Sequence, residues 1–160
     1  MNNLIVYATK YGCTEKCAGI LAQKLEGKTD VQNLKDSKAL DLSQYDSVVI
    51  GGSQYIGRIQ KEVTEFCTKN MDILKTKKIG LFICGMQSEE VLQTELSTSF
   101  PKELLEHAAA KECFGGEFIF KKMNFMDRTI AKMVAKTDKD KSSISEESIS
   151  GFAKLMNTGD

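Results

Sequence analysis

Apolar residues along this chain fall into two patterns. Short, nearly continuous runs alternate with stretches in which apolar side chains return every three or four positions. The runs Leu4-Ile5-Val6-Tyr7, Ser47-Val48-Val49-Ile50 and Ile79-Gly80-Leu81-Phe82-Ile83-Cys84 predict buried strands. Residues 30–34 predict a short edge strand and residues 113–120 a fifth. Cys17, Ile20, Leu21 and Leu25 share one helical face behind the first strand, with Glu15 in the first turn, where the helix dipole favours an acid. Ile59, Val63, Phe66 and Cys67 do the same after the second strong run. Pro101 suits the first turn of a helix reaching to about Glu112. A closing helix carries Ile149, Phe152, Ala153 and Met156, and Ser143-x-x-Glu146 reads as its capping box.

Strands that are apolar throughout, alternating with helices, predict a parallel sheet covered on both faces: an α/β, doubly wound architecture. The 160 residues suit one such domain, with no repeat or linker to divide it. Basic and acidic side chains balance at 22 each, so no global field directs the chain to nucleic acid. Cys13, Cys17, Cys67, Cys84 and Cys113 are an odd number without Cys-x-x-Cys spacing, and no signal peptide precedes them. They are expected as reduced thiols in a cytoplasmic protein. No apolar run approaches the ~20 residues a membrane span needs.

Ligands of such sheets bind beyond the carboxyl ends of the strands, where the strand order reverses. Three loops are expected to converge there: 9–14, 52–57 and 85–88. The first, Thr9-Lys10-Tyr11-Gly12-Cys13-Thr14, spells Thr-x-x-Gly-x-Thr between a strand and a helix N-terminus. Unpaired first-turn amides, the positive end of the helix dipole and two hydroxyls suit it to a phosphate, and Gly12 permits close backbone approach. The second, Gly52-Ser53-Gln54-Tyr55-Ile56-Gly57, offers apolar groups for packing on a flat ring. The third, Gly85-Met86-Gln87-Ser88, supplies a small residue, a polarizable side chain and an amide.

Several chemistries of this architecture fail at these positions. Arg58-Ile59 stands where a nucleotide P-loop needs Lys-Ser/Thr, which excludes ATP or GTP. A phosphorylatable receiver needs acids where Ala8-Thr9 and Gly51-Gly52 stand. No cysteine has an arginine six residues on, as a cysteine phosphatase requires, and Gly-x-Gly-x-x-Gly is absent. His107 reads as a solvated surface residue, and no cluster has convincing metal spacing. Cys13 and Cys17 read as loop filler and core packing.

The loops Thr9 to Thr14, Tyr45 to Ser53 and Tyr55-Ile56-Gly57 resemble the FMN-binding loops of flavodoxins, and the resemblance covers essentially the whole chain. The tail, Phe114-Gly115-Gly116 and then Phe125-Met126-Asp127-Arg128-Thr129-Ile130-Ala131-Lys132-Met133, resembles the branch containing menaquinone-dependent protoporphyrinogen oxidases. The resemblance implies a three-layer fold with a five-stranded parallel sheet in the order 2-1-3-4-5. It implies that Thr9, Tyr11, Gly12, Cys13 and Thr14, with Lys10 in the same loop, surround the FMN phosphate. Gly52 to Gly57 would flank one side of the isoalloxazine, and Gly85, Met86 and Gln87 the other side or its edge. Gly57 would be the residue whose carbonyl can face the flavin N5–H. The chain departs from flavodoxins in its neutral charge and in having no aromatic in the third loop.

Residues 121–141 carry seven basic side chains interleaved with Met123, Phe125, Met126, Ile130, Met133 and Val134. The expectation is a covering helix whose Met and Phe side chains face the core. Peripheral contact with an anionic membrane, where a quinone would be reached, is the alternative. Three functions therefore stand: an FMN-dependent carrier between redox proteins, a quinone-dependent oxidoreductase of the protoporphyrinogen-oxidase type, and a flavodoxin-fold module without cofactor. None assigns a catalytic side chain.

Overall fold

Five parallel strands form the central sheet: β1 (Asn2–Tyr7), β2 (Lys28–Asn33), β3 (Ser47–Ser53), β4 (Lys78–Cys84) and β5 (Ala110–Cys113), in the order β2-β1-β3-β4-β5. They come from a computed structural model that describes residues 1–36, 39–54, 57–135 and 140–159. The order is the expected one. The helices are α1 (Cys13–Lys24), α2 (Lys61–Lys69), α3 (Met71–Leu74), α4 (Glu89–Ser99), α5 (Lys102–His107), α6 (Phe125–Ala135) and α7 (Glu146–Asn157). A small antiparallel pair, β6 (Glu117–Phe118) with β7 (Lys141–Ser142), lies outside the main sheet.

Alternation along the strands sends side chains to two cores. Leu4, Val6, Val48, Ile50, Leu81 and Ile83 pack with Val63, Cys67, Leu92, Leu96 and Leu104 on one face. Ile5, Val49, Phe82 and Ala110 pack with Leu21, Phe114, Ile149 and Phe152 on the other, under α1 and α7. Phe82 stacks on Phe114 with ring centroids 4.6 Å apart, and both meet Phe152 edge-on. Gly51, paired in register with Phe82, makes room for that ring, since a Cβ there would lie 2.1 Å from it.

Three expectations need correction, and one helix was not foreseen. The helix after Pro101 ends at His107, because the chain enters β5 at Ala110. The fifth strand is Ala110–Cys113, not 113–120: Gly115, at φ 81, turns the chain away and the following apolar residues leave the sheet. The sequence reading also missed α4, which Ser88 caps by accepting from the Val91 N–H. Ser145, not Ser143, caps α7, accepting from Ser148 N at 3.1 Å. Among the described residues, no helix is long and apolar enough to cross a membrane.

Candidate functional site

The carboxyl ends of β1, β3, β4 and β5 are stitched together by backbone bonds, which fixes the loops that leave them. Ala8 N donates to Gly51 O (3.2 Å), Gln54 N to Cys84 O (2.9 Å), and Gly85 N to Gly115 O (2.9 Å). The order reverses between β1 and β3, so the first loop and the 52–57 loop leave the sheet on either side of the switch point.

The first loop leaves hydrogen-bond donors at the start of α1 without partners. Gly12, at φ 95, is the N-cap of α1 and has no side chain to cap it. Its own N–H is taken by Thr9 Oγ1 at 2.9 Å, and its carbonyl accepts from Lys16 N at 3.0 Å. The amides of Cys13, Thr14 and Glu15 precede that bond and have no partner within the helix. Thr14 is wholly buried, and its Oγ1 has no hydrogen-bond partner. A buried hydroxyl without a partner costs about 1–3 kcal/mol. Beside unpaired amides at the positive end of a helix dipole, the group that would satisfy it is an oxyanion. Cations gather at the same corner. Lys35 Nζ donates to Thr9 O (3.0 Å), and Lys122 Nζ lies 4.0 Å from the position a Gly12 Cβ would occupy.

Lys10 and Tyr11 face Asp127, a residue of the tail motif to which sequence reasoning assigned no role. Asp127, buried in α6, accepts from the Tyr11 hydroxyl and pairs with Lys10 Nζ at 2.7 Å. Asn124 Oδ1 in turn accepts from Asp127 N at 2.8 Å, capping the helix that presents it. This anchoring reverses the face expected of 121–141. Met123 is buried, but Phe125 (82% exposed), Met126 (71%) and Met133 (73%) point outward. The signal for Asp127 was weak: one acid among lysines, a turn behind an asparagine.

Cys13 closes a cluster with Cys17, one helical turn on, and Cys84, the last residue of β4. The thiols of Cys17 and Cys84 donate toward Cys13, which holds its thiol well below the ordinary range. The contact with Cys13 pushes Cys17 and Cys84 up, with burial adding to both.

In the second loop, Gln60 holds Ser53 from both sides, accepting from Ser53 N (2.9 Å) and donating to Ser53 Oγ (2.6 Å). Gly52 lies under Ile59, whose Cδ1 would be 2.6 Å from a Cβ there. Gln54 Nε2 donates to Ser99 Oγ in α4, while its Oε1 is buried without a partner. Gly57, at φ 73, is exposed, with nothing near a would-be Cβ. Tyr55 and Ile56 lie outside the described residues.

In the third loop, Gly85 fits between Leu92 and Gln87, and Gln87 Oε1 is a further buried acceptor without a partner. Met86 Sδ accepts from Ser143 Oγ at 3.4 Å, so this side chain is covered by the chain leading to α7. Gly116 backs directly onto Gly85, whose carbonyl carbon and oxygen would each lie 2.6 Å from a Gly116 Cβ. Glu95, whose Oε2 is buried and unpartnered, is held above the usual carboxylate range by burial. His107 belongs to the opposite edge of the sheet, where its Nε2 meets Lys77 O at 2.8 Å, just before β4 begins.

The three loops thus join an anion corner to a rim of small residues and unpartnered amide carbonyls. Comparison with known proteins bears on both fold and lineage. No sequence among curated proteins matches the chain. Oxidised flavodoxin 2 from Bacillus cereus is 21% identical, with a TM-score of 0.57 and 97% of each chain covered. The flavodoxin of Streptococcus pneumonia TIGR4 is 17% identical, with a TM-score of 0.55, covering 98% of this chain and 97% of its own. At these identities the likeness is one of fold. The family model for the flavodoxin domain matches residues 4–145, which takes in all three loops. By that match, over most of its length, the chain belongs to the flavodoxin family.

Proposed function

We propose that this chain is a single flavodoxin-like domain that binds FMN non-covalently and carries electrons between redox proteins. The observation that carries the reading is the wholly buried, unpartnered Thr14 hydroxyl at the uncapped start of α1, within a flavodoxin family match. The amides of Cys13 and Thr14, with the hydroxyls of Thr9 and Thr14, would hold the phosphate. Lys10 and Tyr11 shape the loop through Asp127, and Gly12 lets the backbone approach. Gly52, Ser53, Gln54, Tyr55, Ile56 and Gly57 on one side, with Gly85, Met86 and Gln87 on the other, would border the isoalloxazine. When bound, FMN supplies the one- and two-electron chemistry, while the protein orients it and sets its surroundings. The five free thiols suit a reducing, cytoplasmic compartment.

The test is reconstitution. The purified chain should bind FMN, turn yellow and quench its fluorescence. Thr14→Glu, which sets a carboxylate against the phosphate, should weaken retention by about 100-fold or more, roughly 3 kcal/mol. Protein that stays colourless and leaves FMN fluorescence unchanged would instead favour a module without cofactor. Unchanged affinity in the variant would mean that the phosphate lies elsewhere.

A second reading rests on α6. Phe125, Met126 and Met133 project into solvent, and Lys121, Lys122 and Lys132 are exposed around them. Such a surface suits peripheral contact with an anionic membrane, where a quinone could accept electrons, as in the protoporphyrinogen-oxidase branch. Flotation with anionic vesicles separates the two readings: a chain that stays at the bottom of the gradient is a carrier between soluble partners.

A further inference from the structure

Three of the five cysteines meet at one point, and the phosphate corner uses at most the backbone of one of them. The sulfur atoms of Cys13, Cys17 and Cys84 all lie within 4.8 Å of one another. We propose that these three side chains form a trigonal, all-sulfur binding site for a soft monovalent cation, Cu(I).

The geometry follows from the fold. Cys13 and Cys17 are four residues apart on α1, so their side chains share one helical face. Cys84 ends β4 on the same side of the sheet as Phe82 and α1. For three atoms no more than 4.8 Å apart, some point lies within about 2.8 Å of each; metal–thiolate bonds are ~2.3 Å, so a shift of a few tenths of an ångström closes the site. Cys17 and Cys84 are wholly buried and Cys13 is half-buried, which gives an ion one way in from solvent.

The donor set selects the ion. Thiolates favour Cu(I), Zn(II) and iron–sulfur clusters over harder cations. Structural zinc takes four ligands, and among the described residues the group offers three. Glu117, whose charge acts on Cys13 and Cys17, is engaged by Lys16 at 3.2 Å. Three sulfurs and no fourth ligand suit Cu(I), which is stable in trigonal coordination. Each thiol that binds releases its proton to solvent, so affinity rises with pH. Residual negative charge is offset by the positive end of α1 and by the partial exposure of Cys13.

The other two thiols are internal controls. Cys67 and Cys113 belong to the core on the opposite face of the sheet, and burial pushes each thiol up to about 12. Among the described residues, neither joins a ligand group.

The test titrates the full-length reduced chain anaerobically with Cu(I) held by bathocuproine disulfonate. The wild type should withdraw about one equivalent, and X-ray absorption should report about three sulfur neighbours. Cys13→Ser, a mild change at the first residue of α1, and Cys84→Ala should each lower Cu(I) affinity by at least ~10-fold. Cys67→Ser and Cys113→Ser should leave it unchanged. Failure of the wild type to compete, retention of wild-type affinity in Cys13→Ser, dependence on Cys67 or Cys113, or fewer than three sulfur neighbours would each overturn the proposal.

Discussion

The first 113 residues and the stretch from Gly115 to Ser142 are held by different forces. Along β1, β3 and β4 nearly every side chain is buried in one of two apolar cores, and on one face Phe82 stacks on Phe114 while Phe152 meets both edge-on. Among the described residues of the later stretch, Met123 is buried, while Phe125, Met126 and Met133 face solvent and the acid Asp127 faces inward. Among the described residues its polar attachments to the rest of the chain run from Asp127 to Lys10 and Tyr11 and from Glu117 to Lys16. Both fasten onto the loop and first turns of α1. The sheet therefore sets the position of the 9–14 loop, and the polar contacts of the later stretch brace that loop from outside.

The contrast is sharpest where the two regions are cut separately. Phe82→Ala removes a wholly buried ring from the stack with Phe114 and should destabilise the chain by about 3–5 kcal/mol, read by urea unfolding. An effect below ~1 kcal/mol would mean the aromatic stack does not hold that face. Asp127→Ala leaves the Tyr11 hydroxyl without its acceptor and should cost less, about 1–2 kcal/mol, since Lys10 is 35% exposed and stays solvated. Its signature is local: hydrogen exchange should rise across α6 and the 9–14 loop but not in β3 or β4. Uniform loosening of the sheet would show that the brace and the core are one cooperative unit. Phe125→Ser, at a side chain 82% exposed, should change stability by no more than ~0.5 kcal/mol. Any loss of vesicle binding in that variant, with folding intact, assigns the outward face of α6 to a membrane.

The same division explains what was legible in the sequence. β1, β3 and β4 announce themselves because strands buried on both faces must be continuously apolar. The place of the Thr9–Thr14 loop, between β1 and α1, was readable because a strand, a glycine and a helix start follow one another locally and need no distant partner. β5 was misplaced because Ala110-Lys111-Glu112 is a polar edge, whereas the more apolar residues after Gly115 looked like a better strand. α4 escaped notice because only Leu92 and Leu96 are buried along its eleven residues. Asp127 was out of reach for another reason: its partner Tyr11 lies 116 positions away, and a carboxylate's burial is visible only once the chain has folded. That contact also turned α6 over, since a buried acid with two donors fixes which face looks inward.

The central claim is that the start of α1 grips a phosphate. The direct measurement is calorimetric titration of the full-length apoprotein with FMN and, separately, with riboflavin, which has the same ring system and no phosphate. The account predicts FMN binding at least about 100-fold tighter, a gap of roughly 2.7 kcal/mol. Equal affinity for the two flavins would contradict it.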